Sequence, residues 1–131
     1  MFTRHWLLLF LSKKIFMFSL SKSEIIRSKQ DFNRVYSLGK SFACRDMVLY
    51  VLQDENLNGK IGFAAGKKLG CAVTRNRVKR LLREAYRLNK NKIRRDAAMI
   101  LVGRKNLVDA KFDSAEKSFL KICRKAKILS E

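Results

Sequence analysis

The stretch Thr74-Arg75-Asn76-Arg77-Val78-Lys79-Arg80-Leu81-Leu82-Arg83-Glu84-Ala85-Tyr86-Arg87-Leu88 carries two patterns in one helical period. Advancing about 100° per residue puts Val78, Leu81, Leu82, Ala85 and Leu88 on one side. Arg75, Asn76, Lys79, Arg80, Arg83 and Arg87 fall on the other, with Arg77 and Glu84 at the boundary. The spacing predicts an amphipathic helix over 74–88 laid on a sheet. Its outer face is costly, because the i, i+4 pairs Arg75–Lys79, Lys79–Arg83 and Arg83–Arg87 each repel by a few tenths of a kcal/mol. A solvated face normally mixes signs, whereas a polyanion turns such repulsion into affinity by releasing counterions. Arginine suits phosphate because its planar fork binds two oxygens at once.

Working outward, the charge is concentrated around this helix. The 131-residue chain has 30 Lys+Arg against 11 Asp+Glu, a formal net charge of +19. Residues 60–95 hold thirteen basic and one acidic side chain, so nearly two thirds of the excess lies in 36 residues. That is the footprint of a binding patch for an anionic partner, with nucleic acid the first candidate and an acidic membrane surface the second. Hydrophobic residues make up 47% of the chain, enough for a core, which argues against compositional disorder. The length suits one domain. Proline is absent, so no Pro-rich linker divides the chain.

Before the helix, Ser28 reads as an N-cap with Asp31 in the first turn. Phe32, Val35 and Tyr36 share a face, and Gly39 reads as the terminator of this short helix. Ser41 to Gln53 is rich in strand formers, and Val48 to Leu52 is apolar on both faces, as in a covered strand. The polar run 54–59 ends in Asn58-Gly59, a turn signal, and Lys60 to Ala65 returns as a strand; the two runs are expected to form a hairpin. Gly66 to Val73 is a loop. After the basic helix, Ala97 to Val102 is a short apolar strand ended by Gly103. Asp113, with Glu116 three residues later, reads as the acidic N-cap of a last helix, with Ala115, Phe119, Ile122, Cys123 and Ala126 as its buried stripe.

Conventional catalytic constellations are not written here. His5 is the only histidine, so a Ser-His-Asp or Cys-His arrangement would have to use it. Cys44, Cys71 and Cys123 are odd in number and widely spaced, which predicts free thiols rather than a disulfide framework or a zinc site. Gly62 to Lys68 places three residues between its glycines where a Walker A loop needs four. A helix-turn-helix reader needs a helix just before the basic one, where strands are expected. At the N-terminus, Trp6–Leu11 is too short to span a bilayer and is followed by no signal cleavage site. We expect residues 1–16 to be a non-native or disordered extension ahead of a start at Met17, with 17–131 as a single RNA-binding domain. The rival is a real amphipathic extension that binds anionic membrane.

Lys67-Lys68-Leu69-Gly70-Cys71-Ala72-Val73-Thr74-Arg75-Asn76-Arg77-Val78-Lys79-Arg80-Leu81-Leu82-Arg83-Glu84 resembles the bacterial ribonuclease P protein subunit, whose signature is Arg-Asn-Arg followed by Lys-Arg-x-x-Arg. The flanks agree: Phe32-x-x-Val35-Tyr36-x-x-Gly39 resembles the family's first helix, Phe42 to Leu52 its second block and Ala97–Arg104 its last strand. The likeness runs from about residue 18 to 128, and departs from the family pattern at Cys71, Ala64 and Gly66. It implies an α+β fold, a two-layer α/β sandwich of a mixed four-stranded sheet with three helices, similar to a domain of a ribosomal protein. It implies removal of the 5′ leader from precursor tRNA by a ribonucleoprotein whose RNA subunit does the hydrolysis. Mg2+ is then expected in the RNA subunit's active site, with no catalytic residue, metal ligand or cofactor assigned to the protein. The resemblance places Lys67, Lys68, Arg75, Asn76, Arg77, Lys79, Arg80 and Arg83 against the catalytic RNA, and the helical face adds Arg87. It places Phe32, Tyr36 and Tyr50 in a cleft for the leader. Partners are the ribonuclease P RNA and precursor tRNA, one protein to one RNA, in the cytoplasm and with no membrane. The alternative is a structural RNA-binding protein of the ribosome with the same fold.

Overall fold

The computed structural model describes residues 20–130. The expectations for residues 1–16, Met17 and His5 fall outside them. In chain order the main elements are α1 (Lys29–Leu38), β1 (Lys40–Ala43), β2 (Met47–Leu52), β3 (Ile61–Ala65), α2 (Ala72–Asn89), β4 (Ala98–Gly103) and α3 (Phe112–Lys125). The strands form one sheet in the order β1-β2-β4-β3. β1 with β2 and β2 with β4 are antiparallel, while β3 runs parallel to β4. The α+β class, the mixed four-stranded sheet and the three helices are as expected.

The hairpin is not where the sequence put it. The run 41–53 folds on itself as β1 and β2, with Ser41 opposite Tyr50 and Phe42 opposite Leu49. β3 pairs with β4 instead, Ile61 opposite Met99 and Ala65 opposite Gly103. The physical reason is burial on both sides: β4 is apolar throughout and takes an interior place beside β2, leaving β3 and β1 at the two edges. The turn itself forms at 54–59, where Gly59 has φ +85 and Asn56 donates its backbone N–H to Asp54 Oδ1.

Alternation along the strands makes two cores. Met47, Leu49, Ile61, Met99 and Leu101 face α2 and α3, and pack with Leu82, Phe119 and Ile122. Ala98 and Ile100 face the other way, toward α1, and pack with Ile26, Val35 and Leu57. The sheet with α2 and α3 is the sandwich, and α1 lies across β2 and β4 on the sheet's other face.

Helix ends differ from expectation in instructive ways. Ser28 Oγ accepts the Asp31 backbone N–H at 3.4 Å, as predicted. Gly39 ends α1 without a left-handed φ; a Cβ there would stand 2.5 Å from the Val35 carbonyl oxygen and 3.0 Å from that of Val51. Crowding by the carbonyl of its own helix, and then by the sheet, selects this glycine. α3 starts two residues early: Lys111 holds the cap position expected for Asp113, and Asp113 lies within the first turn. Glu116 instead accepts a hydrogen bond from Asn89 Nδ2 at 3.0 Å, tying α3 to the end of α2.

Candidate RNA-binding surface

Lys67 and Lys68 lie on a single 3-10 turn, Lys67–Leu69, between β3 and α2. Gly70, at φ +133, then redirects the chain into α2, a conformation an L side chain rarely adopts. Both lysines are exposed at the N-terminal end of α2, as are Asn76, Arg77, Arg80 and Arg83 farther along the helix. Arg75 and Lys79 are half-buried, and the Arg75 Nε is enclosed with no hydrogen-bond partner among the described residues.

Not every cation of the stripe faces outward unengaged. The Arg77 guanidinium donates to the carbonyls of Val108 and of Ala110, the latter at 3.1 Å, which pins the loop before α3. Glu84, at the edge of the stripe, accepts two hydrogen bonds from Arg87, at 3.0 and 2.7 Å. That fork raises the Arg87 pKa and relieves one of the repulsive i, i+4 pairs. Arg83 sits over the Phe63 ring, 5.7 Å from its centroid, close enough for a cation–π contact. The apolar side is broader than the helical spacing predicts. Val78, Leu82 and Ala85 are buried as expected, but so is Tyr86, which packs edge-on against Phe63 and Phe119. Leu81 and Leu88 are only half-buried and share a shallow hollow with Phe112.

The sheet register adds cations that sequence reading missed. Ala65 pairs with Gly103, and Gly103 with Met47. Gly66-Lys67, Arg104-Lys105 and Arg45 therefore leave the sheet at the same end, and all four cations are exposed. Arg104 is held there by its Nη1 on the Cys44 carbonyl at 3.0 Å and its backbone N–H on that of Asp46. Arg45, Arg104 and Lys105 are scattered among carboxylates in sequence, so no local charge count signals them.

On the α1 face, Tyr36 and Tyr50 stack with ring centroids 4.6 Å apart and planes tilted by 32°. Tyr36 is 49% exposed. The hydrogen bond with Tyr36, and then burial, raises the Tyr50 hydroxyl pKa. Phe32 is half-buried, with its ring against Gly62 and Ile100, where a Gly62 Cβ would meet it at 3.1 Å. The structure therefore brings Tyr36 and Tyr50 together at the surface and sets Phe32 deeper, on the floor. Beyond α1, Ala43, Val48, Val102 and Ala64 pair across all four strands as one row on this face, each at least partly exposed. The row runs from beside the tyrosines toward Lys67, joining the aromatic pair to the cationic end.

Cys71 is exposed at the N-cap of α2, and its thiol pKa is lowered. The cause is the Thr74 backbone N–H, followed by the Thr74 hydroxyl and the Val73 N–H; neighbouring lysines are not the source. Cys44 and Cys123 are also free thiols, with burial pushing Cys123 up to about 12. Among the described residues no His, Cys, Asp and Glu side chains gather as a metal-ligand group, and no helix is long and apolar enough to cross a membrane.

Residues 20–127 match the family model described as Ribonuclease P. A ribonuclease P protein component from Natranaerobius thermophilus is 36% identical over 112 residues, covering 86% of this chain and 97% of that one. One from Clostridioides difficile is 36% identical over 109 residues, covering 82% and 96%. Among solved structures, the Staphylococcus aureus RNase P protein superposes with a TM-score of 0.74 at 30% identity, covering 83% of this chain and 100% of that one. The Thermotoga maritima protein does so with a TM-score of 0.68 at 26% identity, covering 78% and 96%.

Proposed function

Because the chain belongs to the ribonuclease P protein family, we infer that it binds the catalytic RNA through α2 and holds the 5′ leader of precursor tRNA on the α1 face. The family makes it the protein component of a ribonuclease that works with ribonuclease P RNA. The finer assignment rests on one observation: the half-exposed row Ala43–Val48–Val102–Ala64 connects the Tyr36–Tyr50 pair to the cationic end of the sheet. A strand of RNA emerging from phosphates held by Lys67, Lys68, Asn76, Arg80 and Arg83 can cross that row and reach the rings. Arg75 and Lys79 flank the same helical face. Arg77 and Arg87 act mainly by fixing the loop before α3 and the helix surface.

In this reading the protein binds and positions, while hydrolysis and its Mg2+ belong to the RNA subunit. Stacking on Tyr36 and Tyr50 contributes about 1–3 kcal/mol per base and is sequence-tolerant, which suits a site that must accept every leader. Phosphate contacts likewise carry no sequence information. One protein per RNA in the cytoplasm completes the proposal. The family match over 20–127 does not favour the ribosomal alternative.

Reconstitution tests it. Added to a bacterial ribonuclease P RNA at low magnesium, the protein is expected to stimulate 5′ leader cleavage; no stimulation overturns the assignment. Tyr36→Ala is expected to weaken precursor tRNA several-fold and leave mature tRNA unchanged in a binding titration. Equal losses on both would return the tyrosines to a packing role.

A further inference from the structure

A groove of about 600 Å3 lies away from the α2 patch, at the end of the sheet where β1 begins and β2 finishes. It passes around that end. Leu38 and Leu52 line it on the α1 side, and Phe42, Val51 and Ile128 on the α3 side. Its rim is cationic: Lys40 from β1, Lys125 and Lys127 from the end of α3, and Arg94, which Asp96 partly neutralises at 2.6 Å.

Lys127 is the telling residue. α3 closes with the Ile128 N–H on the Cys123 carbonyl at 3.1 Å and the Lys127 N–H on that of Arg124, a cap whose left-handed position favours glycine. Lys127 occupies it at φ +60, the only non-glycine residue with positive φ among those described. A side chain retained against its backbone preference, on the rim of a groove, points to a function for that side chain.

The groove is continuous with the tyrosine pair. Tyr36 and Leu38 are both exposed on the last turn of α1, at 49% and 62%. Ser41 lies opposite Tyr50, and Lys40 opposite Val51. A chain leaving the tyrosines over β1, one of the sheet's two edge strands, therefore meets Lys40 first and then the apolar floor. Like charge disfavours a second copy of this protein as occupant, and the cationic rim favours a polyanion.

We propose that this groove binds single-stranded RNA, as a second leader site that takes the 5′-distal nucleotides after the strand has passed Tyr36 and Tyr50. It rests on the leader reading above. Phosphates lie on Lys40, Lys125 and Lys127, and a base lies on the floor against Phe42.

The test uses the reconstituted protein–RNA enzyme and two precursor tRNAs, one with a leader ending at the tyrosine pair and one extended well beyond it. The variant is Lys125→Gln with Lys127→Gly, the second change suiting the left-handed backbone, so the melting temperature should not fall. Wild type is expected to bind the long leader several-fold more tightly than the short one. The variant loses that increment and keeps short-leader affinity. Its salt slope is shallower by about 0.7 for each phosphate no longer neutralised. An unchanged long-to-short ratio overturns the proposal. Tighter binding of polyglutamate than of an RNA oligomer of equal length also overturns it, and gives the groove to an acidic protein. Tyr36→Ala, run alongside, separates the two readings: if it leaves short-leader binding intact, the leader cleft itself fails.

Discussion

Gly103 ends β4 directly beneath α2, and a Cβ there would stand 2.3 Å from Val78 Cγ1. The missing side chain sets how closely the basic helix sits on the sheet, and so where its cations emerge. Gly103→Ala is expected to cost about 1–3 kcal/mol through overpacking. Urea unfolding checks this, and an unchanged midpoint would mean α2 yields freely. The sequence marks Gly103 only as the residue that stops an apolar strand. Nothing local reveals that Val78 packs against it. Cys71 teaches a similar lesson: lysines stand beside it in sequence, yet its thiol is lowered by the first-turn amide of Thr74. Backbone direction, which sequence does not display, decides such cases.

At the scale of the element, α2 was legible almost whole. Periodicity placed it at 74–88, and it spans Ala72–Asn89. Periodicity also assumed a single straight buried stripe. Tyr86 breaks that assumption because α2 packs on both the sheet and α3, so its buried arc widens toward the C-terminal end. The carboxylate of Glu84 likewise crosses into the cationic face to engage Arg87. Arg75→Ala with Arg80→Ala is expected to weaken RNA binding and to lower the log–log salt slope by about 0.7–0.9 for each phosphate left without its cation. Filter binding across a salt series measures it. Weaker binding at an unchanged slope would place those side chains away from phosphate.

For the whole molecule, the segment before α1 matters more than its sequence suggests. Ile26 donates its backbone N–H to the Ile61 carbonyl at 2.9 Å, extending the sheet past β3. Glu24 accepts from Lys90 Nζ at 2.6 Å, at the far end of α2. Burial pushes the Glu24 carboxyl up, but the hydrogen bonds from Lys90 and Ser21 outweigh it and hold the pKa below its ordinary value. A carboxyl lowered on folding stabilises above its unfolded pKa, and that contribution is lost as pH falls through the folded value. Glu24→Gln should therefore cost about 1.5–3 kcal/mol at neutral pH, the range for a hydrogen bond to a charged group. The difference from wild type should shrink in acid. Thermal melts across pH check it, and a gap that persists at low pH would assign the loss to packing.

The three helices, the strands after residue 60, the amphipathic basic face, the class of partner and, through Arg75-Asn76-Arg77 and its flanks, the family resemblance are all written in the sequence. These follow from local spacing, because helix and strand periods and cap chemistry act within a few residues. Only the tertiary structure decided which strands pair and therefore what shares a surface. It set β3 beside β4 rather than β2, gathered Arg45, Arg104 and Lys105 at the Lys67 end, and ran one row of residues from the tyrosines to the cations. Strand partners are chosen by which strand is buried on both faces, and that is a property of the assembled sheet.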